Sequence, residues 1–272
     1  MPVTQFDKAV RFQSLHAGPT FVFPNPWDIV SARLLAAQGF QALATSSGAM
    51  AAMLGRRDGR ISREEALAHC RTLVGATDLP VAADLEKGFG DSPEHVAETI
   101  RMAAAAGVVG GSIEDATGDP AAPIYDIETA SARIAAAVAA ARALPFPFTL
   151  TARTENFLRN RHDLADTIAR LQAYERAGAD VLFAPGLPDL PSIAAVCRAV
   201  TKPVNFMVGI KGRSFSVREL EQAGVRRISL ATSLYRAAMT GIFKAAREIH
   251  EHGTFTYLDD QLPSQVLNSC LE

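Results

Sequence analysis

Cysteine is scarce. Cys70, Cys197 and Cys270 are odd in number, far apart and without CxxC spacing, which excludes a disulfide framework and a thiolate zinc centre and points to a reducing cytoplasm. An excess of either charge is missing too. Lys and Arg number 27 against 29 Asp and Glu, a formal net charge of -2, so no broad attraction to nucleic acid or an anionic membrane is expected. No uncharged apolar run reaches membrane-spanning length, and the N-terminal MPVTQFDKAVRFQSLHAG lacks the apolar core of a signal peptide. The expected partners are small molecules and further copies of the chain.

What is present is a repeated unit of short strand and longer helix. Strand-like runs recur at TFVF (20), ALAT (42), VAAD (81), GSIE (111), TLTAR (149), VLFA (181), VNFM (204) and RISLA (227). Ser62 with Glu65 and Ser216 with Glu219 fit the capping box, and Ser92 before Pro93 supplies an N-cap and a first-turn proline. Gly39, Gly107, Gly178 and Gly224 mark helix ends. Eight such units with little sequence left over predict a closed (β/α)8 TIM barrel: one domain over residues 1–272, with a C-terminal helical extension from about 241. The rival open sheet would need a glycine-rich turn after its first strand, where FVFPNPWD has proline instead.

Polar residues collect where the strands end, the rim at which barrel enzymes place their chemistry. In PVAADLEKGFGD the carboxylates Asp84 and Glu86 are two residues apart, so strand alternation points them the same way. Held together they repel, which raises one pKa or demands a cation, and hard oxygen ligands favour Mg2+ or Mn2+. Glu114 in GGSIEDA ends the next strand with Asp115 beside it, and Asp58 in LGRRDGR can add a fourth oxygen directly or through water. Arg153 ends the fifth strand; its fork suits a carboxylate or phosphate ligand, or an internal pair with Glu155 or Glu114. Ser46, Ser47 and Gly48 in ATSSGAM can hold an oxyanion or form an ordinary loop. Asn205 can meet a ligand or a neighbouring strand. All six histidines fall in helices or their flanks, with His162 nearest the rim, and neither a GxSxG elbow nor a strand lysine is present. Metal-assisted chemistry remains.

In that order and spacing, ATSSGAMAAMLGRRDGR, VAADLEKGFGD, GGSIEDA and TARTENF resemble the isocitrate lyase and phosphoenolpyruvate mutase superfamily, from about residue 20 to about 250. The resemblance implies a barrel whose last helix is exchanged between subunits, a homotetramer built as a dimer of dimers, and a Mg2+ ion that holds a 2-oxo or 2-hydroxy acid while an enolate forms or is consumed. It makes Asp84, Glu86 and Glu114 the metal cluster, reached largely through ordered water, with Asp58 close by. Ser46, Ser47 and Gly48 would cradle a substrate carboxylate and Arg153 would bind the same end. Glu86 departs modestly, since many relatives carry aspartate there.

A larger departure follows the fourth strand. EDATGDPAAPIYD has neither the Lys-x-Cys-Gly-His loop of the isocitrate and methylisocitrate lyases nor the lysine and Thr-Asn of the phosphonomutases and phosphonopyruvate hydrolases. The match is better to relatives lacking both, among which oxaloacetate decarboxylase-like activity occurs. The expectation is a Mg2+-dependent carbon–carbon lyase acting on a small oxo-acid, with Tyr235 or water returning a proton. Its rivals are a P–C bond enzyme and a barrel that only binds a carboxylate.

Overall fold

Strands and helices alternate along the chain in a computed structural model that describes residues 3–271. In order they are α1 (Gln5–Leu15), β1 (Phe21–Phe23), α2 (Ile29–Ala37), β2 (Leu43–Ala44), α3 (Ser47–Met53), α4 (Arg63–Ala76), β3 (Val81–Asp84), α5 (Pro93–Ala105) and β4 (Gly110–Glu114). There follow α6 (Ile127–Arg142), β5 (Thr149–Arg153), α7 (Leu164–Arg176), β6 (Val181–Phe183), α8 (Leu190–Ala199), β7 (Val204–Met207), α9 (Val217–Gln222), β8 (Arg227–Ser229), α10 (Ser233–His252) and α11 (Ser264–Ser269). All strand pairs are parallel, in the order β1-β8-β7-β6-β5-β4-β3-β2. The ring is therefore a nearly closed (β/α)8 barrel, and the Ala44 amide crosses its seam by donating to the Pro24 carbonyl at 3.0 Å.

Local chemistry sets the helix starts. Ser62 with Glu65 and Ser216 with Glu219 form reciprocal capping boxes, and Ser92 caps α5 ahead of Pro93. Thr4 with Asp7 and Asp28 with Ser31 add two more. The main core lies between sheet and helices, around Leu43, Leu73, Ile100, Ile113, Leu150 and Leu171. A second apolar cluster closes the barrel floor, where α1 presses Phe12 among Phe23, Ala44, Ala82 and Val109. Burying one such phenylalanine contributes roughly 2–3 kcal/mol. A Cβ on Gly110 would stand 2.8 Å from the Thr149 carbonyl and 3.0 Å from the Phe12 ring, so β4 passes this point only as glycine.

After β8 the packing changes. α10 runs unbroken through position 241, and none of its residues is buried, with Ile242 and Phe243 more than three-fifths exposed. The short helix around Thr256–Asp260 and α11 bury nothing either, although the Leu271 carbonyl accepts from Arg33 on α2 at 2.5 Å. Among the described residues no helix is long and apolar enough to cross a membrane.

Candidate active site

The ends of β3, β4 and β5 share one rim: Asp84 pairs in register with Ser112, and Glu114 with Arg153. Asp84 is tightly held. Its Oδ2 accepts from the Ser47 amide at 3.1 Å and the Ser47 hydroxyl at 2.9 Å, and its own amide donates to Thr45 Oγ1 at 2.9 Å. Ser46 caps α3 by accepting the Ala49 amide at 3.3 Å. Thus Ser46, Ser47 and Gly48 form the first turn of a short helix that sequence periodicity alone does not announce. Asp58 lies in an exposed loop, yet its Oδ2 would be only 3.2 Å from a Cβ on Gly48, so that backbone and this carboxylate approach closely.

Glu86 reaches the rim by a different route from the one strand alternation predicts. β3 stops at Asp84, and Glu86 has φ 49°, a left-handed backbone that costs a non-glycine residue roughly 1–2 kcal/mol. Two bonds hold the turn: its amide donates to Asp84 Oδ1 at 3.3 Å, and its carbonyl accepts the Glu114 amide at 2.9 Å. Gly88, with φ 84°, completes it. Gly90 serves packing instead, because a Cβ there would fall 2.5 Å from the His95 side chain.

Electrostatic conflict is concentrated on this turn. Glu86 Oε1 is buried without a hydrogen-bond partner. Burial first, then repulsion from Asp84 and Asp58, pushes the Glu86 carboxyl up to about 7. Burial also holds Glu114 well above the usual carboxylate range, against the pull of Arg153. Arg153 is ion-paired inside the site, with Nε 2.6 Å from Glu155 Oε1 and 3.5 Å from Glu114 Oε2, and its guanidinium stands over the Phe183 ring. Arg159 braces the same two acids, 3.3 Å from Glu155 and 3.8 Å from Glu114.

Two hollows meet at Arg153. An open cleft of about 600 Å³ is lined by Ser47, Asp58, Glu86, Glu114, Arg153 and Glu155, among others. A narrower cavity of about 70 Å³ enters the barrel between Ser46, Asp84, Arg153 and Asn205. Of the sequence-derived site residues, Asp58, Asp84, Glu86, Glu114, Arg153, Ser46, Ser47 and Asn205 line one or both, and Gly48 borders them through Asp58. Tyr235 lines neither; it stands edge-on to Trp27, ring centroids 5.5 Å apart. His162 is exposed beside Phe157. Asp115 turns away from the rim to accept from Tyr174, Arg170, Thr154 and the Glu155 amide, a structural knot between β4, β5 and α7. Sequence reasoning missed Arg227, buried at the inner end of the narrow cavity; its signal was an arginine opening the apolar run RISLA.

Among the described residues no three His, Cys, Asp or Glu side chains converge closely enough to chelate one metal ion directly. The carboxylates do fit a hydrated divalent ion. The unpartnered Glu86 oxygen and the mutual repulsion of Asp84, Glu86 and Asp58 are what a cation placed among them would relieve.

The sequence matches the family model described as phosphoenolpyruvate phosphomutase over residues 12–250. A crystal structure described as "a putative lyase/mutase from Burkholderia cenocepacia J2315" is 54% identical and superimposes with a TM-score of 0.96, over 98% of this chain and 97% of that one. 2-Methylisocitrate lyase of Escherichia coli K12 is 32% identical over 246 residues, 85% of this chain and 82% of that enzyme. Oxaloacetate decarboxylase 2 of Pseudomonas putida W619 is 29% identical over 229 residues, 82% and 74% of the two chains. By sequence and by fold the chain belongs to the phosphoenolpyruvate phosphomutase family, in the superfamily of carbon–carbon lyases and mutases that includes isocitrate lyase.

Proposed function

We propose that this enzyme is a Mg2+-dependent lyase that cleaves a C–C bond of a small α-oxo or 2-hydroxy carboxylate through an enolate, with decarboxylation of oxaloacetate, at the bond one carbon removed from its keto carbonyl, as the leading reaction. The observation that carries the reading is the Glu86 carboxyl, buried, unpartnered at Oε1 and crowded by Asp84 and Asp58. Asp84, Glu86 and Glu114 would hold the ion largely through water, with Asp58 at the margin. When bound, Mg2+ (or Mn2+) draws electron density from the substrate's carbonyl and carboxylate oxygens.

The chain's own groups bind and orient. Ser47 already commits its amide and hydroxyl to Asp84, so a substrate carboxylate falls to the Ser46 hydroxyl, the Gly48 amide and Arg153. Loss of CO2 leaves the bonding pair on the adjacent carbon as the enolate, and one proton completes the product. Water supplies that proton more simply than Tyr235, which lines neither hollow. Decarboxylation needs no base from the β4–α6 loop, and the segment Ala116–Tyr125 holds no cysteine, histidine or lysine. The exposed apolar face of α10 supports a homotetramer with that helix exchanged between subunits.

The test is pyruvate formation from oxaloacetate and Mg2+ by the purified protein, compared with Asp84→Ala. Metal-dependent turnover above the buffer rate in wild type, lost in the variant, is expected; equal turnover in both would overturn the assignment. The family model's own description favours a second reading, cleavage of a P–C bond. Phosphorus NMR on phosphonopyruvate decides it.

A further inference from the structure

The narrow cavity ends on a guanidinium that forms no ion pair with a carboxylate among the described residues. Arg227 is 4% exposed, and its three nitrogens meet only neutral partners: Nε donates to Asn205 Oδ1 at 2.8 Å, Nη2 to Thr151 Oγ1 at 2.9 Å, and Nη1 lies 3.3 Å from His16 Nε2. His16 gives no charge compensation. Its Nδ1 donates to the Phe12 carbonyl at 2.9 Å, which leaves Nε2 as the acceptor, and burial and Arg227 push the ring down to about 3. Arg153 and Arg170 face carboxylates; Arg133 too has only neutral partners, the carbonyls of Lys87, Gly90 and Asp91, but it does not line this cavity.

The remaining charges around the cavity leave Arg227 unneutralised. Asp84 lines the same space and keeps its charge, since Ser47 is a neutral donor, but among the described residues it makes no ion pair with Arg227; Arg153 is matched by Glu155 and Glu114. Arg227 has five N–H groups and three partners, and the cavity it lines also presents Thr151, Asn205, Ser112 and Ser229. At about 70 Å³ the space suits a few waters or one compact anion. A buried cation with neutral partners is expensive in free energy, and an anion is its natural complement.

We propose that the inner end of the barrel cavity is a binding site for a small monovalent anion, a carboxylate group or a halide, held by the Arg227 guanidinium beside Thr151 and Asn205. The inference is independent of the lyase reading, since it uses none of the rim acids. Bromide and formate are the probes, with bulky gluconate at equal ionic strength as the control. Crystals of the whole protein soaked in bromide should show one anomalous peak against Arg227, and melting curves should rise saturably by about 5 °C with bromide or formate. Arg227→Met should lose that rise while responding normally to gluconate.

Absence of the bromide peak, or an equal anion response in the variant, would overturn the proposal. If Arg227→Met does not fold, the wild-type crystal and melting curves still decide. Competition between bromide and oxalate in the presence of Mg2+ would identify the anion as a substrate carboxylate reaching inward, and independent binding would identify it as a free ion. Failure of oxaloacetate turnover would leave this result untouched.

Discussion

Replacing Glu86 with glutamine should make the metal-free protein more stable, although the residue lines the candidate active-site cleft. The substitution keeps the shape and removes the charge that burial, Asp84 and Asp58 oppose. An acid lifted from 4.5 to about 7 on folding leaves the folded state holding a proton that the unfolded chain has released, so stability falls as pH rises through that window and then levels. The full difference corresponds to ~3 kcal/mol, which solvent screening of a half-buried group reduces to about 2 kcal/mol. For a chain of this size that is a Tm gain of roughly 4–8 °C. Thermal denaturation in EDTA at pH 8 should show the gain, and at pH 4 the two proteins should melt together. Added Mg2+ should then stabilise wild type and leave Glu86→Gln nearly unmoved. A variant that melts lower than wild type at pH 8 in EDTA, or gains as much from Mg2+, would refute the account of a carboxylate cluster arranged for a cation.

Other outcomes test the frame around the site. Asp115→Asn removes the charge that Arg170 and Tyr174 share; with Asp166 still paired to Arg170, it should cost about 2–3 kcal/mol in chemical denaturation while the folded fraction keeps its metal response. No loss would show that the knot between β4 and α7 is not structural. For assembly, light scattering should give four copies of the 29.0 kDa chain, and Ile242→Glu with Phe243→Glu should break them apart. A wild-type monomer would dismiss the exchanged helix.

The fold was readable because a barrel writes its period into the chain. Each strand is short and largely apolar, each helix from α1 to α9 carries an N-cap side chain, and both signals are local, so Ser62 with Glu65 and Ser92 with Pro93 act as they read. Rim residues on true strand ends, Asp84, Glu114 and Arg153, were readable for the same reason. Since β3 ends at Asp84, Glu86 lies at the rim, but not by the strand alternation from which it was expected. Its left-handed backbone is fixed by the Glu114 amide from the neighbouring strand, a tertiary bond that no local pattern reports. Asp115 shows the reverse: it sits next to a rim acid and faces the other way because Tyr174 and Arg170 on α7 claim it. α3 escaped notice because seven residues are too few to display a period, and Arg227 because a single charge in an apolar strand looks like an edge rather than an interior.

The strand ladder is not continuous around the whole circumference. Where β1 should meet β2, one amide stitch from Ala44 to Pro24 does the joining, and Asn25 reinforces it by donating to the Thr45 carbonyl while accepting from the Leu230 amide. A single carboxamide thus rivets three staves at the lip of the narrow cavity. The joint is also close to the acids: β3 is the stave next to β2, and Asp84 at its end is tied to Thr45 and Ser47 just past β2, so any widening of this hem would be passed straight to that carboxylate.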